Sequence, residues 1–195
     1  MVNTKRPSRW GRWTLGIVVA LWFVAGHVQS ANALGHIRVA TGLGGSGTEW
    51  RGDGSIATQL KIGFRFIDII GIYGDFGLAY ADVDQRVITM FSIGVQAWAR
   101  LGITRPFIRV SLVHQHEESL SVIAGDIGSA LLGLGEGIRH RGGVGFGLGM
   151  DIPVYTKNKL ELFLTVEGFV KWFPGDMGPA VYAGGNLAFG MNYGV

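Results

Sequence analysis

Residues 159–173 read KLELFLTVEGFVKWF, and their period decides the fold class. Leu160, Leu162, Leu164, Val166, Val170 and Trp172 fall on one side of an extended chain, and Glu161, Thr165, Glu167 and Lys171 fall on the other. Successive side chains of a strand point to opposite sides, so this alternation is the signature of a strand with one apolar face. The polar row must then meet water or polar partners.

The same reading extends along the chain. In SIATQLKIGFRFI, residues 55–67, Ile56, Leu60, Ile62, Phe64 and Phe66 stand against Gln59, Lys61, Gly63 and Arg65. In QRVITMFSIGVQAWARL, residues 85–101, the apolar row is Val87, Phe91, Ile93, Val95, Ala97 and Leu101, leaving Ser92, Gly94, Gln96 and Arg100 opposite. In RPFIRVSLVHQH, residues 105–116, Ile108, Val110 and Leu112 stand against Arg109, Ser111 and Gln115. Extended segments at 35–45, 69–81, 141–152 and 180–193 bring the strand count to eight. Several exceed the usual globular length and match the roughly 9 to 11 residues that a tilted strand needs to cross a bilayer.

These features predict an all-β fold, an eight-stranded antiparallel up-and-down transmembrane barrel over residues 34–195. The apolar rows would face lipid and the polar rows the lumen. A soluble barrel of the lipocalin kind alternates too, but buries its apolar rows. The 33 glycines weigh against that, because Gly143, Gly145, Gly147 and Gly149 sit in the nominally inward row and are poor material for a dry soluble core. Connections alternate in length, as in outer-membrane barrels. Periplasmic turns are expected near Asp68, at 102–105 and at 153–159, with outward loops at 46–54, 82–85, 117–140 and 173–179.

The N-terminal 33 residues read differently. Lys5, Arg6, Arg9 and Arg12 precede an apolar run at 15–25, and Ala31-Asn32-Ala33 follows, the pattern of a cleaved signal peptide over residues 1–33. Its removal would leave 13 basic against 14 acidic residues (17 − 4 and 14 − 0), a net charge of −1. The basic balance of the full chain therefore gives no reason to expect a nucleic-acid partner. Cysteine is absent, which excludes disulfides and thiolate chemistry. Composition and motifs point to no cofactor.

An eight-stranded interior is just wide enough for side chains to fill it. Arg38, Lys61, Arg65, Asp75, Arg100, Arg109, Glu161, Glu167 and Lys171 are the candidate lumen ion network, since buried charges persist only when paired. Trp98 falls on the inner row, where its N–H needs a partner. Trp172, Phe173, Tyr182 and Tyr80 lie near outer strand ends and fit an interfacial girdle, while Trp50 lies in the first outer loop.

The 117–140 loop joins a charged, histidine-bearing rim to an apolar middle. Leu120, Ile123, Ile127, Leu131 and Leu134 recur at helical steps, suggesting a short amphipathic helix that covers the mouth, lies in headgroups or docks a surface partner. His114, His116 and His140 share outward parity and are the candidate metal ligands, with Glu117 or Glu118 as carboxylate neighbours. The alternative pairs Glu117 and Glu118 with Arg139 and Arg141 across the hairpin stem and leaves the histidines wet.

With GGVGFGLGMDIPVYTKNKLELFLTVEG at 142–168 and the closing alternation of Leu187, Phe189, Met191 and Tyr193, the chain resembles the small bacterial outer-membrane β-barrels of the OmpA and OmpX type. The class usually ends in an aromatic residue; here the last is Val195, with Tyr193 two places before it. The resemblance implies residence in the outer membrane of a Gram-negative bacterium, with lipid and the barrel-assembly machinery as partners. It also implies a structural, envelope-maintenance or surface-interaction role and a plugged lumen. A second branch of the class, the lipid A deacylases, carries a His-x-Ser pair and a carboxylate on the outer wall. The counterpart here reads His114-Gln115-His116, with Ser119 displaced from the serine position.

Overall fold

The computed structural model describes residues 35–49, 53–66, 69–125, 128 and 138–195. The expected signal peptide, Trp50 and Asp68 lie outside the described residues, as do Ile127, Leu131 and Leu134 of the third outer loop. The strands are β1 (Gly35–Thr48), β2 (Gly54–Phe66), β3 (Ile70–Ala81), β4 (Arg86–Trp98), β5 (Arg105–Ser119), β6 (Arg139–Lys157), β7 (Leu160–Trp172) and β8 (Val181–Gly194). Each pairs antiparallel with the next, and β8 returns to β1 to close the barrel. The closing register sets Ile37 opposite Tyr193 and Leu43 opposite Leu187. Closure removes the unpaired edges that no strand can leave open in hydrocarbon.

The alternation sorts by side as the sequence requires. Leu43, Ile93, Leu112 and Leu187 on the outside keep between 65% and 68% of their surface exposed, whereas Arg38 and Arg65 on the inside keep 3% and 2%. An apolar exterior around a charged interior is the reverse of a soluble barrel, and the lipocalin-like alternative is thereby corrected.

Boundaries differ from expectation at three places. The stretch 153–157 belongs to β6, which absorbs Val154 in a register shift between Pro153 and Tyr155. A bulge of this kind tolerates the missing N–H of proline, so Pro153 does not end the strand. The reversal itself falls at Asn158, whose φ of 54° lies in the left-handed region that asparagine tolerates. At the opposite end β5 runs through Ser119 and β6 begins at Arg139, so Glu117 and His140 are strand residues rather than loop. A short helix, α1 (Leu120–Gly125), follows β5.

Candidate functional site

Two groups of side chains stand apart from the scaffold, one filling the lumen and one on the outer wall. In the lumen the inward rows meet across the barrel in three levels. At the periplasmic level Arg38 pairs with Asp151 at 2.8 Å. The other Asp151 oxygen accepts the Trp98 indole N–H at 2.8 Å, and Thr165 donates to the same carboxylate at 2.6 Å. The Arg38 guanidinium lies 3.8 Å from the centre of the Phe163 ring. Beside it Arg105 grips Glu161 with two bonds of 2.5 Å, and Asn192 donates to Glu161 at 2.6 Å. Arg65 stands over the Trp98 ring at 6.0 Å.

At mid-height Glu167 is the hub. Lys61 reaches it at 3.3 Å, Arg109 forms a close ion pair with it, and Asn186 donates at 3.2 Å. Arg109 also faces Asp75 at 3.9 Å. Lys171 enters the same space, with its ammonium 3.2 Å from the Met90 sulfur and over the Phe169 ring. Toward the outer mouth Glu117 takes over as hub. It pairs with Arg86 at 2.7 Å and Arg141 at 3.1 Å, and accepts from Gln115 at 2.5 Å and the Tyr182 hydroxyl at 3.1 Å. Asp53, from the first outer loop, closes onto Arg86 at 2.5 Å. Among these outer groups lies an apolar cluster of Ala79, Ala81, Ile88, Val113, Phe173 and Tyr182, all buried.

Eight of the nine charges expected in the lumen are there. Arg100 is not: β4 ends at Trp98, and Arg100 stands exposed beyond it, because the alternation holds only as long as the strand does. Phe173 and Tyr182 do not join an interfacial girdle. Phe173 follows outward Trp172 by one residue and so points in, and the two rings meet edge to face in the lumen at 5.6 Å. Trp172 and Tyr80 do face outward and exposed. Asp53, Arg86, Arg105 and Asp151, none of them singled out in the sequence, complete the network together with Glu117 and Arg141, which the sequence marks only as hairpin-stem residues. All but Asp53 carried the signal, since each continues the inward parity of its own strand.

The second group lies on the outer wall. His116 sits directly opposite His140 across the β5–β6 pair, and His114 is two residues along the same face of β5. Ring centres lie 4.6 Å apart for His114–His116, 4.7 Å for His116–His140 and 5.7 Å for His114–His140. One nitrogen from each ring falls within 4.8 Å of the other two. His114 and His140 are exposed, but His116 is 5% exposed, enclosed by the other two rings and by Phe91. The expectation of wet histidines is therefore corrected for His116. Of the expected stem pairs, Glu117–Arg141 forms, but inside the lumen, while Glu118 points out with the histidines.

Against solved structures, the chain matches Neisserial surface protein A at 11% identity and a TM-score of 0.55, over 85% of this chain and 100% of that one. The chain is an eight-stranded transmembrane β-barrel with the fold of a small outer-membrane protein. Its exposed apolar band and charged interior require lipid outside, and the matching structure shares the closed fold. The N-terminal barrel domain of Pseudomonas aeruginosa OprF matches at 15% identity and 0.47, over 80% of this chain and 98% of that one. Ail of Yersinia pestis matches at 12% and 0.45, over 82% and 96%. No protein-family model matches the sequence, and no curated protein sequence does.

Among the described residues no serine stands beside His114 and His116 on the outer wall. Ser119 pairs with Arg86 in the register row of the lumen side, while His114, His116 and Glu118 face out.

Proposed function

We propose that the protein is a closed, non-conducting barrel of the Gram-negative cell envelope, with a structural or surface-interaction role and a plugged lumen. One observation carries this reading: the lumen is filled at successive heights by ion pairs centred on Asp151, Glu167 and Glu117, with an apolar cluster packed at the outer level. An ion passing through would have to displace buried carboxylates from guanidinium partners, a disruption worth about 3 to 5 kcal/mol for a single pair. Lipid surrounds the exposed band, the assembly machinery inserts the chain, and the 117–140 region is the surface open to a partner.

Planar-bilayer recording from the refolded full chain tests the plug. No steady conductance is expected from the native protein, and Phe173→Ala, which removes the largest apolar side chain of the outer level, should admit transient openings. A steady, ion-selective open state of the native protein would refute the reading.

A further inference from the structure

We propose that His114, His116 and His140 form a binding site for a divalent transition-metal cation of the zinc type on the outer wall of the barrel. The site lies at the extracellular end of the β5–β6 hairpin and is independent of whether the lumen conducts.

The backbone brings the ligands together without any loop. Directly paired residues hold their Cβ atoms about 4.5 to 5.5 Å apart, and neighbours two along the same face are within reach of an imidazole. That is the relation of His116 to His140 and of His114 to both. Tetrahedral zinc–nitrogen bonds of about 2.05 Å require nitrogens about 3.3 Å apart. The nitrogens here lie within 4.8 Å of one another, so side-chain rotation alone closes the gap. Three neutral imidazoles with one open position form a recurrent ligand set for zinc and its neighbours in the transition series.

Independent observations point to a ligand. His116 Nδ1, Glu118 Oε2 and Thr89 Oγ1 are buried without a hydrogen-bond partner, and their residues are 5%, 5% and 3% exposed. All three share the outward parity of this patch, with Thr89 directly opposite His116. Buried polar atoms are ordinarily satisfied, and three orphans beside one histidine cluster leave a polar demand that the side chains do not meet. A cation ligated by His116 would turn its ring from an orphan into a ligand. Glu118, on the same outward row of β5, would supply compensating charge.

The position is open to ions from outside. A strand tilted by about 40° climbs roughly 2.6 Å per residue, which puts His116 roughly 29 Å above Arg105. That is the upper edge of an apolar band about 25 Å tall. The outward row of β5 changes there from Ile108, Val110 and Leu112 to His114, His116 and Glu118.

The test is titration of the tag-free full chain, refolded in detergent, with Zn²⁺ alone by calorimetry, and with Co²⁺ alone for the absorption bands of tetrahedral nitrogen ligation. One equivalent of Zn²⁺ per chain is expected. Binding should weaken at least tenfold in each of His114→Gln, His116→Gln and His140→Gln and stay unchanged in His36→Gln, which lies at the far end of β1. Retained heat-modifiability on gels establishes that each variant is folded, and the exposure of His114 and His140 makes those two safe should His116→Gln fail to fold. Absence of saturable Zn²⁺ binding, or native binding in both His114→Gln and His140→Gln, would overturn the proposal.

Discussion

Replacing Glu117 by alanine is expected to destabilise the barrel by about 3 to 5 kcal/mol, the cost of leaving a buried charge without its partner. The carboxylate is 2% exposed and serves two guanidinium groups, Arg86 at 2.7 Å and Arg141 at 3.1 Å. Arg86 would keep Asp53 at 2.5 Å, whereas Arg141 would lose its ion pair and keep the face of Phe173 at 5.1 Å and the charge of Glu49. Counted bond by bond, two charge-assisted hydrogen bonds of about 1.5 to 3 kcal/mol each give a matching range. Urea titration of the chain folded into lipid vesicles, with the folded fraction read from unboiled gels, measures the loss. Glu118→Gln is the internal control. It is adjacent in sequence but on the opposite side of the wall, and its Oε2 has no partner, so its removal should be neutral or stabilising. A loss below about 1 kcal/mol for Glu117→Ala would mean that water screens the guanidinium groups, and the plugged lumen would fail with it.

Other perturbations probe the remaining parts. Gly147→Ala should cost about 1 to 3 kcal/mol by overpacking, because its Cβ would collide with Glu167 and Arg109. Gly74→Ala, on the outer row with its nearest neighbour 3.9 Å away, should change the urea midpoint little. Ile93→Arg, placing a charge on the lipid-facing wall, should lose about 2 to 4 kcal/mol in vesicles, while Ile103→Arg in an exposed turn should lose almost none. At Glu49, partial burial pushes the carboxyl up, but the backbone N–H groups of Glu49, Val181 and Ala180 outweigh it and hold the group below its ordinary 4.5. A depressed folded value stabilises above pH 4.5 and ceases to do so as pH falls through that lower value. Amide exchange at Val181, corrected for its intrinsic rate, should therefore accelerate on acidification, and Glu49→Gln should remove the pH dependence.

Strands and their faces were legible because lipid imposes a row of apolar side chains on one parity and leaves the other to the lumen. Period two says which side a residue takes but not what it meets there. Arg38 and Asp151 come from β1 and β6, Lys61 and Glu167 from β2 and β7, so their partners are set by height across the barrel, which no local pattern encodes. Departures arise where parity is extended past a strand end or set aside for another signal. Arg100 was carried inward past the end of its strand. Phe173 and Tyr182 were assigned outward because aromatics are common at strand ends, although Phe173 follows outward Trp172 by a single residue. Pro153 reads as the start of a turn, whereas a bulge lets β6 continue through it. The histidines converge because β5 and β6 extend beyond the apolar band, a length the sequence left open.

The inward glycines, which argue against a dry soluble core, turn out to complement bulk rather than leave space. Gly94 stands directly opposite Tyr73, Gly147 opposite Arg109, Gly149 opposite Phe107 and Gly190 opposite Phe163. At Gly94, Gly149 and Gly190 an added Cβ would run into that facing side chain, and at Gly147 it would run into Glu167 and crowd Arg109. Alternating nothing with a large group lets a barrel of eight strands hold long, charged and aromatic side chains in a lumen barely wide enough for them. The inward rows thus meet as facing pairs of a glycine and a bulky side chain. The exterior is uniform over the lipid band and breaks from apolar to polar on the outward row of β5 above Leu112. There the unmet hydrogen-bonding demand of His116, Glu118 and Thr89 is concentrated on one side of the barrel wall, beside the three histidines of the proposed metal site.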